Sequence, residues 1–301
     1  MSWYLLLVGR YSEAEDLARR SIQIRADLLG QEHPSTLASM ANLASTFWNQ
    51  RRWREAEELG LEVMETSLRV LGQSHPDTLT SMGNLASTYR HQGRWKEAEE
   101  LEVKVMETRK RALGQGHPST LTSMSNLTAT YRHQGRWKEA EGLQVGVMEM
   151  RKQVLGKEHP DTLTSMDNLA ATYWNQGTWK GAEELEVKVM ETIKTVLGQE
   201  RLDTLTSIAN LAATYMNQGR WKEAEELEVM VMETRKKVLG QEHPDNLTST
   251  ANLAATYRNQ GRWEEAEKLG TEVTETSLRI LGQEHPSALT NMGNLAATYW
   301  D

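Results

Sequence analysis

Cysteine is absent from this chain of 301 residues, which also has only six prolines and a single phenylalanine. Without cysteine, the chain can form no disulfide, no thiolate zinc site and no cysteine nucleophile. It contains no run of about 18 apolar residues, so the sequence predicts no membrane-spanning helix. The 42 acidic residues outnumber the 34 basic ones, which argues against nucleic acid as a partner. These absences predict a soluble cytoplasmic protein with no membrane or nucleic-acid partner.

The sequence is built from repeats of constant length. The dipeptide Leu-Gly recurs every 42 residues, at Leu29-Gly30, Leu71-Gly72, Leu113-Gly114, Leu155-Gly156, Leu197-Gly198, Leu239-Gly240 and Leu281-Gly282. Residues 76–117 and 118–159 are identical at 30 of 42 positions. Self-similarity at this period indicates stacked supersecondary units rather than one closed core. We therefore predict a single repeat array over residues 1–301.

The first half of each repeat predicts an amphipathic helix. In residues 118–159, the apolar residues Leu121, Met124 and Leu127 recur at helical spacing. Ser119 is the predicted N-cap of this helix, a place that Asp takes in other copies. The helix should end near Gln134-Gly135, because glycine readily adopts the left-handed conformation that terminates helices.

The second half of each repeat predicts another helix, from Trp137 to Leu155 in the same copy, with Gly156 ending it. A tryptophan opens this helix in every complete copy, and we expect these indoles to lie in the core; they are Trp53, Trp95, Trp137, Trp179, Trp221 and Trp263. No alternating apolar pattern suggests a strand. The predicted fold is all-α, an array of antiparallel helix pairs.

The spacing of these residues resembles that of tetratricopeptide repeats. The matching positions are Leu127, Thr128, Tyr131, Gly135, Trp137 and Ala140. The 42-residue length, with Asn-Leu-Ala in the first helix and Leu-Gly-x-x-His-Pro between units, is similar to kinesin light chains. The amino-acid sequence of Gly93–Leu101 is more similar to the C-terminal repeats of fungal NOD-like receptors than to those of kinesin light chains. The resemblance implies a right-handed α-solenoid whose first helices line a concave groove for a peptide or protein segment.

Partial units are predicted at both ends of the array. Residues 1–29 form a partial unit whose second helix is Arg10–Leu29, and residues 286–301 form a partial unit that consists of a first helix. Six full units lie between them, at residues 34–75, 76–117, 118–159, 160–201, 202–243 and 244–285.

The residues with possible catalytic or metal-binding chemistry are better explained as structural. Six of the eight histidines precede proline at the unit junctions, as at His117, and equivalent positions in stacked helices lie about 8–10 Å apart. That separation is too large for one metal ion. At the fifth junction Arg201-Leu202 replaces His-Pro, and we expect the hairpin to form regardless. No catalytic or nucleotide-binding motif is found, so we predict no enzyme activity, no metal and no cofactor.

One asparagine recurs in every first helix. These residues are Asn42, Asn84, Asn126, Asn168, Asn210, Asn252 and Asn294. Asparagine is a poor helix former, and the tetratricopeptide resemblance implies a role for it in the groove. There its amide can bind the main chain of a peptide. Bonding to a neighbouring helix, or inheritance through recent duplication, would also explain the row.

Within the first helices, the copies differ most one residue before this asparagine and six and seven residues after it. The preceding position holds Ala41, Gly83, Ser125, Asp167, Ala209, Ala251 and Gly293. The position six residues after the asparagine holds Trp48, Arg90, Arg132, Trp174, Met216, Arg258 and Trp300. Tryptophan and arginine are enriched in interface hot spots, so we predict that this variable row reads the sequence of a partner.

Three roles remain open from the sequence. The first is the sensing region of a fungal NOD-like receptor, and the second is a kinesin-light-chain-type cargo adaptor. The third is head-to-tail assembly, in which the apolar face of the last helix, including Leu289, Leu295 and Tyr299, covers the second helix Arg10–Leu29 of the next molecule, whose stub Trp3–Val8 has to move aside.

Overall fold

The structure is a computed structural model that describes residues 11–300. Fourteen α-helices follow one another within these residues, with no strand among them. They are α1 Tyr11–Leu29, α2 Pro34–Asn49, α3 Trp53–Leu71, α4 Pro76–His91, α5 Trp95–Leu113, α6 Pro118–His133, α7 Trp137–Leu155, α8 Pro160–Asn175, α9 Trp179–Leu197, α10 Leu202–Asn217, α11 Trp221–Leu239, α12 Pro244–Asn259, α13 Trp263–Leu281 and α14 Pro286–Trp300. The even-numbered helices are the predicted first helices, and the odd-numbered ones are the second helices.

The helix ends agree with the predicted stop signals. Helix α6 ends at His133, and Gly135 follows with a φ of 73°. Helix α7 spans Trp137–Leu155, and Gly156 terminates it with a φ of 92°. Residues with a Cβ rarely adopt such angles, which is why glycine recurs at both turns.

The predicted N-caps are wrong. Histidine, and not the serine or aspartate two residues later, caps six of the first helices. The Nδ1 atom of His117 accepts a hydrogen bond from the backbone N–H of Ser119 at 3.1 Å, and His159 accepts one from Asp161 at 3.1 Å. Proline then occupies the first helical position, where its missing N–H costs nothing. The His-Pro pairs are therefore helix-start signals, and their role is to satisfy a backbone donor.

The fifth junction forms its helix without this cap, as expected. Arg201 is the N-cap residue of α10, and its side chain makes no capping hydrogen bond. Helix α10 nevertheless spans the same 16 residues as its counterparts, starting at Leu202. Packing of the helix therefore outweighs the missing cap, in keeping with a capping contribution of about 1 kcal/mol.

The chain divides into two compact units, the first ending at Val154 and the second beginning at Leu155. In the first unit, Leu79 and Met82 of α4 pack against Val105 of α5. In the second unit, the equivalent residues Leu205 and Ile208 of α10 pack against Val231 of α11. Each fully buried aliphatic side chain contributes roughly 1.5–3 kcal/mol. Within each unit the architecture is an all-α solenoid of helix hairpins, as predicted.

A recurrent arginine joins neighbouring hairpins at the start of the second helices. Arg94 donates to Glu97 in its own helix at 2.7 Å and to Gln92 at 3.1 Å. It also donates to Glu57 of the preceding second helix, and its guanidinium lies 4.1 Å above the Tyr89 ring. Arg52, Arg136, Arg220 and Arg262 make equivalent contacts.

The predicted burial of the tryptophan row is also wrong. Trp95, Trp221 and Trp263 are 39%, 40% and 42% exposed. Trp53 and Trp95 stack in parallel on His91 and His133, with ring centroids 5.2 and 6.3 Å apart. Each tryptophan is the first residue of its second helix. This position lies at the edge of the core, so part of the ring stays exposed.

Candidate functional site

The recurrent asparagines occupy one exposed position in every first helix. Asn42, Asn84, Asn210, Asn252 and Asn294 are exposed, and Asn126 and Asn168 are half-buried. Within residues 11–300, none of these side chains has a hydrogen-bonding partner. Bonding of these amides to a neighbouring helix therefore does not explain the row. In each of the two units, we call the surface that carries these residues the asparagine face.

The variable row lies at the ends of the same helices and is more deeply packed. The indole of Trp48 lies edge-on to Trp53, with centroids 5.6 Å apart, and Trp174 lies edge-on to Trp179 at 5.4 Å. Trp174 is still 37% exposed. Burial lowers the pKa of Arg132. The sulfur of Met216 lies 3.1 Å from the Thr256 hydroxyl oxygen.

The arginines of the row are also half-buried. Arg258 is partly covered, and Arg90 donates to the carboxylate of Glu102 at 3.2 Å and to the carbonyl of Asn126 at 3.3 Å. The side chains of the variable row are thus packed into the hairpins and only partly exposed. Their role in recognising a partner stays a prediction.

Three buried carboxyl groups lie in the second helices, and sequence reasoning missed them. Glu102, Glu186 and Glu228 occupy one column of the second helices and are at most 7% exposed. Burial raises the pKa of Glu102 and raises the pKa of both Glu186 and Glu228 to about 7. The signal was present in the sequence, because this column holds small residues near both ends of the array and acidic or amide residues in the middle: Ala18, Gly60, Glu102, Gln144, Glu186, Glu228 and Gly270.

Clefts open beside the asparagine face. In the first unit, a cleft of about 210 Å³ is lined by Asn42 and Asn84. In the second unit, a cleft of about 550 Å³ is lined by Asn210, together with Asp167 and Ser207. Burial raises the pKa of Asp167 to about 6. The larger cleft was not predicted, although Asp167 belongs to a position that differs among the copies.

The described residues show no arrangement suited to a metal or a membrane. Among residues 11–300, no group of three or more His, Asp or Glu side chains could hold a metal ion. No helix in that range is long and apolar enough to cross a bilayer. His91 and His133 stack on tryptophans, and burial lowers the pKa of both.

Stacked helix hairpins that present one repeated polar face define a helical-repeat scaffold. The sequence model described as tetratricopeptide repeat matches residues 4–68, 44–111, 77–144 and 119–195. A second tetratricopeptide repeat model matches residues 204–245 and 246–287. The chain therefore belongs to the tetratricopeptide repeat family, whose members are typically non-catalytic scaffolds that bind protein or peptide partners.

Solved structures show the same architecture. A kinesin-light-chain-type protein with nearly identical TPR-like repeats, from Podosopora anserina, is 33% identical, with a TM-score of 0.63. The match covers 68% of this chain and 97% of that one. BtubC from P. vanneervenii is 19% identical over 79% of this chain and 93% of its own, with a TM-score of 0.63. The quorum sensor NprR from B. thuringiensis is 16% identical over 99% of this chain and 87% of its own, with a TM-score of 0.56.

The last two likenesses concern the fold alone. Among curated proteins, none matches the chain.

Proposed function

We propose that this protein is a scaffold that binds a peptide or protein segment along the asparagine face. The observation that carries the proposal is the repeated asparagine, exposed in mid-helix and without a side-chain partner among residues 11–300. Asparagine costs a helix several tenths of a kcal/mol relative to alanine, and the structure shows no internal use that offsets this cost. An amide side chain can both donate to and accept from a peptide bond.

The spacing of the row suits an extended partner. Neighbouring packed helices lie about 8–10 Å apart. Three residues of extended chain span about 10 Å. Successive asparagines of the second unit, Asn168, Asn210 and Asn252, would therefore meet every third peptide unit of a segment that crosses the first helices.

A displayed library of random dodecapeptides, selected against the purified full chain, tests this function. A peptide enriched by the selection is synthesised, and its affinity is measured by calorimetry. We expect the triple variant Asn168→Ala, Asn210→Ala, Asn252→Ala to bind it at least tenfold more weakly while its melting temperature changes by only a few degrees. The matched control is Glu184→Ala, Glu226→Ala, Lys268→Ala, three exposed positions on the second helices.

The two triple variants give a clear decision. Unchanged affinity in the asparagine variant, or equal losses in both variants, would contradict binding along the asparagine face. Unfolding of the asparagine variant would show that the row is structural.

For the wider protein, we propose the sensing region of a fungal NOD-like receptor. The support is the resemblance of the repeat sequences, such as Gly93–Leu101, to the C-terminal repeats of these receptors. A kinesin-light-chain-type adaptor is the second candidate, favoured by the 33% identity to the Podosopora anserina structure. The coding sequence upstream of Met1 discriminates between them. A nucleotide-binding domain there would support the receptor, and a coiled coil would support the adaptor.

Head-to-tail assembly is a third proposal, based on the last helix. Leu289, Met292 and Tyr299 of α14 are 54%, 44% and 63% exposed. The stub Trp3–Val8, which was predicted to move aside in this assembly, lies outside the described residues. Light scattering over a range of concentrations is the test. Self-association that disappears in the Leu295→Glu, Tyr299→Glu variant would support assembly, and a monomer at all concentrations would eliminate it.

A further inference from the structure

At three junctions between hairpins, an arginine of the second helix is bonded to the first turn of the next first helix. In each case the guanidinium donates to a serine hydroxyl at 2.8–2.9 Å and to a backbone carbonyl at 2.8–3.3 Å. Arg25 donates to the Ser39 hydroxyl and the Ser35 carbonyl. Arg109 donates to the Ser123 hydroxyl and the Ser119 carbonyl, and Arg235 donates to the Ser249 hydroxyl and the Asp245 carbonyl.

The arginine fills the space between two consecutive first helices. Arg235 of α11 donates to Ser249 in α12 and also, at 3.2 Å, to the hydroxyl of Thr206 in α10. The side chain is only 7% exposed. A guanidinium is therefore an integral part of this junction.

In α9 the arginine is replaced by Ile193, and the serine hydroxyl that the arginine would bind has no donor. Ser207 of α10 is the counterpart of Ser249, and its hydroxyl is buried at 4% residue exposure with no hydrogen-bonding partner in the described chain. Between α8 and α10 lies the 550 Å³ cleft, lined by Ile193 and Ser207. A buried hydroxyl without a partner has lost its hydrogen bonds to water and gained none in exchange, so a donor that enters the cleft stabilises the protein.

The charge of the cleft fits a cation. Asp167, Glu158 and Asp203 line it, against Arg201 as the single basic residue among the lining residues. The Asp167 carboxylate is half-buried and has no ion-pair or hydrogen-bonding partner within residues 11–300. Leu163 and Val196 supply apolar walls, which suit the aliphatic part of a long basic side chain.

A second junction without arginine provides a contrast within the same chain. At that junction Ser67 occupies the arginine position, and the cleft there is only about 210 Å³. Ala41 takes the place of Asp167, and the Ser81 hydroxyl donates to the carbonyl of Thr78 at 2.8 Å. Loss of the arginine alone therefore does not create an acidic cleft with an unsatisfied hydroxyl.

We infer that the cleft at Ile193 binds the guanidinium of an arginine side chain supplied by the partner. The guanidinium donates to the Ser207 hydroxyl, as the chain's own arginines do at other junctions, and to the Asp167 carboxylate. The inference rests on the proposed function, because the arginine is delivered by a segment that lies along the asparagine face, where Asn210 borders the cleft. The inference therefore predicts that the bound segment carries an arginine at the point where it passes the cleft.

The probe is the pentapeptide acetyl-Gly-Gly-Arg-Gly-Gly-amide, titrated into the full chain while methyl resonances of isoleucine are recorded by NMR. We expect saturable shifts of the Ile193 methyl groups and none at Ile24, which lies on a different helix. The peptides with lysine or with uncharged citrulline in place of arginine should bind at least fivefold more weakly. Equal binding of either one would overturn the assignment of a guanidinium site.

Three variants separate the site from its surroundings. Ile193→Arg restores the residue type found at the other junctions, so it should fold, melt a few degrees higher and lose peptide binding by self-occupation of the cleft. Because this variant also removes the methyl reporter, its binding is followed by the Ile208 methyl of α10. Ser207→Ala should weaken binding several-fold, whereas Ser123→Ala, whose hydroxyl is already bonded to Arg109, should not. Full binding by Ile193→Arg would show that the cleft is not the site.

The outcome is distinguishable from that of the proposed function. If library peptides depend on the asparagines but neither contain arginine nor respond to Ile193→Arg, the arginine inference is wrong and the asparagine face stands. If the arginine pentapeptide shifts Ile193 while no library peptide responds to the asparagine variant, the cleft binds arginine and the proposed function fails.

Discussion

Two junctions of this protein connect helices of equal length and carry different half-buried side chains at one position of the second helix, Arg109 and Ile193. At the Arg109 junction, the guanidinium donates to the Ser123 hydroxyl. At the Ile193 junction, the equivalent Ser207 is buried without a partner, and a cleft opens beside Asp167. Both serines belong to helices of 16 residues that start at corresponding positions.

The comparison shows that the hairpins do not depend on any one of these junction residues. The arginine, the histidine cap and the proline are all replaced around one junction, by Ile193, Arg201 and Leu202, and α10 still forms. We expect the positions at which the copies differ, such as Ile193, to determine which partner binds.

The largest expected effect comes from converting the first junction into the second. Arg109→Ile removes two hydrogen bonds from a charged donor, each worth about 1.5–3 kcal/mol, in exchange for a better apolar fit. We expect a net loss of about 2–3 kcal/mol of stability, seen as a lower urea midpoint. Arg111→Ile, at an exposed position of the same helix, is the control and should change stability by less than about 0.5 kcal/mol. Equal effects of the two changes would contradict the role of the buried guanidinium.

The buried carboxyls sharpen the comparison through pH. Glu228 accepts a hydrogen bond from Thr256, and burial raises its pKa to about 7. The native state therefore binds this proton more tightly than the unfolded state does, and its contribution to stability is lost as the pH rises from about 4.5 through 7. Glu228→Gln should remove that loss, so that at pH 8 the variant is more stable than the parent by on the order of 2 kcal/mol.

The control for this prediction is Glu102→Gln, because Glu102 accepts from Arg90 and its replacement leaves that arginine without its carboxylate. We expect this variant to gain little or to lose stability at pH 8. Stability is measured by urea unfolding at pH 5, 6, 7 and 8. An unchanged pH dependence in Glu228→Gln would contradict the assignment of a raised pKa.

The smallest expected effect concerns the helix caps. The Nδ1 atom of His243 accepts from the backbone N–H of Asp245 at 3.1 Å, whereas Arg201 makes no side-chain cap. His243→Ala should therefore cost about 1 kcal/mol, and Arg201→Ala should cost almost nothing. Thermal unfolding followed by circular dichroism compares the two, and a larger cost at Arg201 would refute the histidine-cap interpretation.

Sequence reasoning succeeded where the determinants are local. The helix ends at Leu155-Gly156 and the hairpin at Arg201-Leu202 were predicted because a stop signal or an apolar stripe acts within a few residues. It failed at Ser119, because a histidine cap had to be distinguished from the common serine cap by geometry. It failed at Trp95, since the first residue of a helix can belong to the apolar stripe and still lie outside the core.

The amino-acid sequence by itself determined the repeat, the helices, the family and the recurrence of the asparagines, because each follows from spacing along one chain. Only the tertiary structure decided which polar groups have partners. Ser123 and Ser207 are the same residue at the same repeat position, and their difference lies in residues 14 positions earlier, Arg109 and Ile193, on a neighbouring helix. Whether a hydroxyl is satisfied, or a carboxyl such as Asp167 is left in a cleft, depends on what the packing of separate helices brings beside it.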